Sequence, residues 1–178
     1  MESKKVINFW FEELTNKDWF KKSEEIDHRI SKLFSKTLAA AKVGELAHWR
    51  KDALGRLAEI IVLDQFSRNI FRDDARAFEA DPLALVLSQE MIAHALDKEL
   101  NASQQSFCYM PFMHSESALI HKQALELFDR PGLENNLKFE QAHKKIIDLF
   151  GRYPHRNEVL GRESSREELE YLKDHPGF

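Results

Sequence analysis

Cysteine occurs once in the 178-residue sequence, at position 108, which excludes a disulfide within the chain. Glycine (6) and proline (5) are also scarce, and this lack of helix breakers favours a helical protein. The most apolar stretch, Leu57 to Phe66, contains Glu59 and Asp64 and is too short to span a bilayer. Charged residues and Asn8 interrupt the Phe-rich amino-terminal stretch, which is unlike a signal peptide. We therefore expect a cytoplasmic protein with no membrane segment.

The charge balance excludes a second group of functions. The formal net charge is −4 and the sequence pI is about 6.1, so no global positive field attracts the chain to nucleic acid or to anionic lipid. We expect no nucleic-acid partner and no membrane partner. Any function that depends on cations must use a local cluster of them.

Apolar residues recur at helical spacing along most of the chain, and no segment has the pattern of a strand. The pattern predicts an all-α fold in a single domain, 1–178, in which helix pairs form stacked antiparallel hairpins. Asp81 is predicted to cap a helix with Pro82 at its first position. Pro111 must start or kink the helix that contains it. The predicted helices cover residues 6–14, 23–44, 46–72, 81–100, 107–128, 139–150 and 165–172.

Three segments carry a family resemblance, and they lie far apart in the chain. They are Leu63-Asp64-Gln65-Phe66-Ser67-Arg68-Asn69-Ile70-Phe71-Arg72, Tyr109-Met110-Pro111-Phe112-Met113-His114-Ser115-Glu116, and the stretch from Phe150 through Arg152-Tyr153-Pro154-His155-Arg156-Asn157 to Ser164. With these motifs the chain resembles the bacterial family called domain of unknown function 924, from Phe9 to Phe178. The resemblance implies an all-helical domain similar to tetratricopeptide repeats, which form a right-handed superhelix, and it implies no established activity.

The loop between Phe150 and Ser165, which follows an apolar helix, is the first candidate site, and we call it the late loop. Its side chains supply many hydrogen-bond donors within one turn-rich segment, as expected for a loop that binds something negative or polar. Polar residues of the other two motifs complete the candidate ligand-binding set. The full set is Asp64, Gln65, Arg68, Asn69, His114, Glu116, Arg152, His155, Arg156, Asn157 and Arg162.

The polar motifs have two interpretations. Asp64 and Arg68 stand four residues apart on a helix and can pair with each other, and a carboxylate in so apolar a helix needs a cation, which the arginines of the late loop offer. In this interpretation the motifs are a structural ion-pair network. In the other, the same guanidinium groups bind a carboxylate or phosphate ligand. The two interpretations are compatible.

The histidines and the cysteine indicate no metal site and no cofactor. His114 and His121 are separated by seven residues, about 10.5 Å along a continuous helix, which is too far for one ion. Cys108 lies between Phe107 and Tyr109 and has the surroundings of a core residue rather than a nucleophile. Acid–base chemistry has better material in His114, His155 and the carboxylates of the motifs.

Three classes of function remain open at this stage. The first, which we favour from the sequence, is a helical-repeat scaffold that binds a peptide or protein partner on a concave surface. The second is a small-molecule binder or enzyme in which Asp64, Arg68, His114, Arg152 and His155 converge in a closed pocket on an anionic ligand. The third is a purely structural role for the polar motifs.

Overall fold

The protein is described by a computed structural model that covers residues 2–175 and 177. Phe178, with which the predicted domain and the family resemblance end, therefore lies outside the described residues, as do Met1 and Pro176. The described residues form helices and turns and contain no strand, which confirms the all-helical prediction. The α-helices are α1 (Ser3–Asn8), α2 (Asn16–Trp19), α3 (Glu24–Lys42), α4 (Ala53–Ile61), α5 (Ser67–Ile70), α6 (Asp81–Ala93), α7 (Ala102–Met113), α8 (Ala118–Phe128), α9 (Glu134–Phe150) and α10 (Arg166–Asp174).

A continuous helix runs through the middle of the protein, because α4 passes through a π-helical turn, Val62–Phe66, directly into α5. The prediction that this helix begins near Leu46 is wrong. A short 3₁₀ turn, Ala47–Trp49, comes first, and extended Asp52 then caps α4 by accepting a hydrogen bond of 2.7 Å from the backbone N–H of Gly55. Apolar side chains of this helix from Leu57 to Phe66 are fully buried, as its nearly continuous hydrophobic sequence predicts.

The next helix is shorter than its sequence pattern predicts. Asp81 is the first residue of α6 and Ala80 precedes it as the cap, one position earlier than expected. The helix ends at Ala93 instead of near Leu100, because Ala95 takes a left-handed conformation with φ of 57° and a separate 3₁₀ turn follows.

The prediction of one helix from Phe107 to Phe128 is also wrong. Pro111 lies inside α7, which ends two residues later at Met113, and α8 starts only at Ala118. The intervening segment places His114 at the carboxyl-terminal cap of α7. His114 and His121 therefore belong to two different helices and do not share one helical face.

Two predicted features of the carboxyl-terminal part are present. Gly151 ends α9 in a left-handed conformation, with φ of 68°. Ser165 and Glu168 form the expected capping box at the start of α10. The loop between these helices contains a 3₁₀ turn, Pro154–Arg156, and it runs back across the protein toward α5 and α6.

The main hydrophobic core surrounds α4 and the π-helical turn. Trp10 packs against Phe66 and Phe107 with its ring edge-on to both, at centroid distances of 5.6 and 5.4 Å. A smaller core under α10 contains Ile146, Ile147 and Tyr153. Among the described residues, no helix is long and apolar enough to cross a membrane.

Candidate functional site

Asp64 lies in the π-helical turn of the central helix, and its side chain is 1% exposed. Single π-helical turns within α-helices often occur at functional sites, because they shift the direction of the side chains they contain. The carboxylate accepts a hydrogen bond from Gln65 at 2.5 Å and lies 2.7 Å from Nδ1 of His114. Burial alone would raise the pKa of Asp64, but the facing His114 and the Arg68 guanidinium lower it below its usual range. Asp64 is therefore a buried carboxylate that stays ionised.

Arg68, one turn further along, joins Asp64 to the start of α6. Its Nη1 lies 3.2 Å from Oδ1 of Asp64, and the guanidinium donates two hydrogen bonds, of 2.8 and 2.9 Å, to the carboxylate of Asp81. This two-pronged geometry is the strongest form of an arginine–carboxylate pair. Both carboxylates oppose the effect of burial and raise the pKa of Arg68, which remains a cation.

Arg156 is the residue of the late loop that reaches this ion pair. Its guanidinium lies between the rings of Phe78 and Tyr153, 4.6 and 4.5 Å from their centroids. Its Nη1 is 3.5 Å from Oδ2 of Asp81, the outer limit of a hydrogen bond. Its Nε is buried and has no hydrogen-bond acceptor among the described residues. Burial first, and then the charge of Arg68, lower the pKa of Arg156.

His114 is the last residue in a series of contacts that starts at Arg156 and continues through Asp81, Arg68 and Asp64. Because the Asp64 carboxylate can only accept, Nδ1 of His114 carries the proton of their 2.7 Å hydrogen bond. Nε2 has no hydrogen-bond partner among the described residues, yet it is not one of the fully buried polar atoms. Solvent therefore reaches Nε2. Burial and then the charge of Arg68 lower the pKa of His114 below 6.5, so the ring is neutral at pH 7.

Tyr153 contacts both Arg156 and the residue that precedes His114. Its hydroxyl donates a 2.5 Å hydrogen bond to the main-chain carbonyl of Met113, the residue just before His114, while its ring packs against the Arg156 guanidinium. The arrangement therefore joins side chains from α5, α6, the end of α7 and the late loop. We call Asp64, Arg68, Asp81, His114 and Arg156 the central polar cluster.

This chain matches a family model described as a bacterial protein of unknown function (DUF924), over residues 6–176. The chain belongs to the DUF924 family. A solved structure of a protein of unknown function from Agrobacterium tumefaciens is similar along nearly the whole length, with 33% sequence identity, 97% of each chain covered and a TM-score of 0.92. No curated protein matches the chain. The resemblance predicted from the three motifs is thus confirmed, and each of those motifs contributes to the central polar cluster of this DUF924 protein.

The other arginines of the late loop bind residues of the loop and of neighbouring segments. Arg162 donates two hydrogen bonds, of 2.6 and 2.9 Å, to Glu116, and its Nε donates to the side-chain oxygen of Asn157 at 2.9 Å. Arg152 makes a corresponding pair with Glu168 of α10, at 2.7 and 2.8 Å. Three of the predicted ligand residues on this loop, Arg152, Asn157 and Arg162, therefore bind other parts of the protein. Of the cations that the sequence offers to Asp64, Arg68 is the one that pairs with it, and the late loop reaches Asp81 through Arg156 instead.

The remaining predicted residues divide between the cluster and other places. Gln65 lies beside Asp64, but Asn69 points away from it and donates a 2.8 Å hydrogen bond to Asp27 of α3. His155 lies on the α10 side of the loop, in a depression of about 340 Å³ that α9 also lines. The five residues expected to converge in one pocket therefore do not all meet: Asp64, Arg68 and His114 do, whereas Arg152 and His155 lie elsewhere.

Several residues that complete the polar interior are not evident from the sequence. The sequence around Asp81 predicts only a helix cap, and nothing in it places Tyr153 and Phe78 around Arg156. Other buried pairs were not predicted either. These are Arg50 with Glu59, His121 with Glu140, and Asp97 with Tyr109 and Arg130. A charged residue within an apolar helical stripe, such as Glu59, indicates that a buried pair exists. The spacing of the residues does not identify its partner.

Cys108 is a core residue, as predicted. It is fully buried, and burial raises the pKa of its thiol to about 12, so it does not form a thiolate at neutral pH. Within the described residues, no group of three or more His, Cys, Asp or Glu side chains is arranged to hold a metal ion.

Two histidines, the buried His143 and the partly exposed His155, should make stability depend on pH. Burial lowers the pKa of His143 to about 3 and that of His155 to about 4, whereas both are near 6.5 when the chain is unfolded. Because the unfolded chain then binds more protons, stability should fall as the pH drops below 6.5. In urea titrations between pH 6.5 and 4.5, we expect His143→Gln to reduce this slope by about 1.4 kcal/mol per pH unit. The exposed residue His94 provides the control, and an equal slope in His143→Gln and His94→Gln would contradict the prediction.

Proposed function

We propose that this DUF924 protein binds a small oxyanion, a carboxylate or a phosphate, at the Arg156 edge of the central polar cluster. The proposal rests on the burial and the contacts of the Arg156 guanidinium. It is held between two aromatic rings, is almost fully buried and, among the described residues, has a single contact with a carboxylate, at 3.5 Å. An arginine in such a position is oriented like a ligand-binding group and lacks the partners of a structural one.

The neighbouring carboxylates support this assignment because they are already engaged. Asp81 gives its two oxygens to Arg68 in a bidentate pair, and Asp64 is shared by Arg68, His114 and Gln65. Arg156 thus brings a positive charge to a place whose negative charges have closer partners. A buried donor without an acceptor costs about 1–3 kcal/mol, and an anionic ligand would remove this cost. The bidentate face of a guanidinium fits the planar oxygens of a carboxylate or two oxygens of a phosphate.

The exposure of the cluster favours a small ligand. The side chains of Arg68, Asp81 and His114 remain 22%, 15% and 15% exposed, so one edge of the cluster is open to water. Two surface depressions, of about 630 and 340 Å³, lie along α10 instead, next to residues such as Phe150, Tyr171 and His175. A compact anion that contacts Arg156 at the open edge is therefore a better fit than an extended cofactor.

Calorimetric titration of the purified protein with sodium sulfate, sodium phosphate and sodium succinate tests the proposal. We expect saturable binding of at least one of these anions, and a loss of at least tenfold in affinity in Arg156→Met, which keeps an unbranched side chain between the rings. Arg166 is exposed at the start of α10 and supplies the control. If Arg166→Met weakens binding as much as Arg156→Met does, or if no anion binds, the proposal is wrong.

The peptide-binding scaffold and the tetratricopeptide-like superhelix remain predictions. A peptide groove requires several exposed apolar side chains on one concave face. Among the described residues, the exposed large apolar side chains come from many separate elements, and they are Phe20, Leu33, Val43, Leu54, Val86, Leu119, Phe139, Leu149 and Leu169. Single exposed apolar residues are ordinary on protein surfaces, so they do not by themselves favour a peptide partner.

A further inference from the structure

We propose that the central polar cluster takes up one proton, at Nε2 of His114, when it binds its anion. This inference rests on the proposed function and extends it: the protein would bind an oxyanion together with a proton. It is carried by the way the cluster joins a fixed imidazole to the Arg156 guanidinium through the Tyr153 side chain.

The first step concerns which nitrogen of His114 is available. Asp64 lies 2.7 Å from Nδ1 and is itself held by Arg68 and Gln65, so the orientation and tautomer of the ring are fixed. Nδ1 carries the proton in this tautomer. The lone pair is then on Nε2, the ring atom that solvent reaches and that has no hydrogen-bond partner in the part of the chain that the structure describes. Nε2 is the atom of the cluster that can accept a proton without breaking an existing hydrogen bond.

The second step concerns distance. The Tyr153 ring packs against Arg156, and the Tyr153 hydroxyl binds the carbonyl that precedes His114 in the chain. One aromatic side chain thus spans the gap between the guanidinium and the main chain of His114. In this proposal the oxyanion held by Arg156 lies on the same side of Tyr153 as the imidazole and acts on it by its charge, since electrostatic interactions extend over several ångströms at partly buried sites.

The third step is the charge balance around the ring. The central helix presents Asp64 and Arg68 to His114, α6 presents Asp81, and α9 presents His143. The late loop adds Arg156 and the Tyr153 hydroxyl, and His121 of α8 binds the carbonyl of Ser115 next to His114. Two arginines and two aspartates cancel, and His114 is neutral, so the empty cluster has no net charge. A bound anion makes it negative, and protonation of Nε2 offsets one unit of that negative charge and provides a hydrogen-bond donor for the anion.

The experiment titrates the full-length protein with sodium sulfate, which stays a dianion throughout the pH range used. Calorimetry at pH 7 in two buffers with different ionisation enthalpies gives the number of protons taken up per sulfate. We expect a value approaching one, together with an affinity that falls by up to tenfold per pH unit between pH 7 and 9. In His114→Asn, binding should be weaker and nearly independent of pH, while exposed His94→Asn should behave as the parent does.

The outcomes separate the two proposals. Sulfate binding that depends on Arg156 but takes up no proton, or that keeps its pH dependence in His114→Asn, overturns the proton coupling and leaves anion binding in place. A complete absence of binding by sulfate, phosphate and succinate overturns anion binding and the coupling with it. Loss of the proton uptake in His114→Asn, with retention of some binding, supports both.

Discussion

Replacing Asp64 with alanine should lower the free energy of unfolding by about 3–5 kcal/mol, the usual cost of removing one member of a buried ion pair. The carboxylate is 1% exposed and has three partners, so its loss leaves Arg68, His114 and Gln65 without their shared acceptor. The charge of Arg68 would then be balanced by Asp81 alone. Urea unfolding at pH 7, where Asp64 is ionised, measures the effect.

Two further variants make the interpretation of Asp64→Ala specific. Asp64→Asn keeps one oxygen acceptor for His114 and should cost less than the alanine variant, because it removes charge without removing the hydrogen-bonding shape. Asp148 is half exposed and pairs with Lys144 one turn away on α9, so Asp148→Ala should change stability by less than about 1 kcal/mol. Equal losses in Asp64→Ala and Asp148→Ala would mean that Asp64 has no special role in the fold.

Replacing Glu140 with alanine should have a similarly large effect, again about 3–5 kcal/mol, through a different buried pair. Glu140 and His121 are completely buried and face each other at 2.6 Å across α8 and α9. Burial raises the pKa of Glu140, and the His121 hydrogen bond works against that rise. Without Glu140, the Nδ1 atom of His121 has no partner in an interior that water does not reach, and thermal and urea unfolding should both show the loss.

Glu140→Gln and Gln141→Ala are the matched controls for this pair. The glutamine variant retains polar atoms opposite His121 and should lose less than half as much stability. Gln141 is the exposed neighbour on the same helix, and its replacement should change stability by no more than about 0.5 kcal/mol. A Glu140→Ala variant as stable as Gln141→Ala would contradict the assignment of His121 and Glu140 as a structural pair.

Much of the local structure follows from short-range sequence signals. The end of α9 at Gly151 and the capping box of Ser165 and Glu168 depend on neighbouring residues, and both are present. The pairing of Asp64 with Arg68 also follows from four-residue helical spacing. Helix boundaries that depend on tertiary contacts were less accurate. The break after Met113, for example, is stabilised by the Tyr153 hydroxyl, which binds the Met113 carbonyl from 40 positions away.

The residues of the site, like the helix boundaries, can be predicted from the sequence only in part. The three motifs contain Asp64, Arg68, His114 and Arg156, and all four belong to the candidate set predicted from the sequence. They did not distinguish Arg156 from Arg152 and Arg162, which bind Glu168 and Glu116 within the late loop and its neighbours. All three arginines occur in similar polar surroundings in the sequence. Only the path of the loop across the protein determines that Arg152 and Arg162 form close pairs with carboxylates, whereas Arg156 has a longer contact of 3.5 Å with Asp81.

The buried pairs and the Arg156 guanidinium therefore have different energetic roles. Asp64 and Glu140 have close partners, and their loss leaves charges or donors unsatisfied. Arg156 has rings on both sides but an incomplete set of acceptors, and its burial is costly enough to lower its pKa. Residues that serve a ligand are often held at a cost to stability, so their removal leaves the fold unchanged or strengthens it.

The free energy of unfolding of Arg156→Met, with and without sodium sulfate, tests this difference most directly. We predict that the variant without sulfate is as stable as the parent, within about 0.5 kcal/mol, or more stable. We also predict that sulfate stabilises the parent in a saturable manner beyond its general salt effect, as ligand binding to the folded state requires, and that this additional stabilisation is absent from the variant. A loss of about 2 kcal/mol or more in the variant, together with equal effects of sulfate on both proteins, would contradict anion binding at Arg156. A loss of that size is expected when a buried pair is broken, and it would assign Arg156 to the structural network instead.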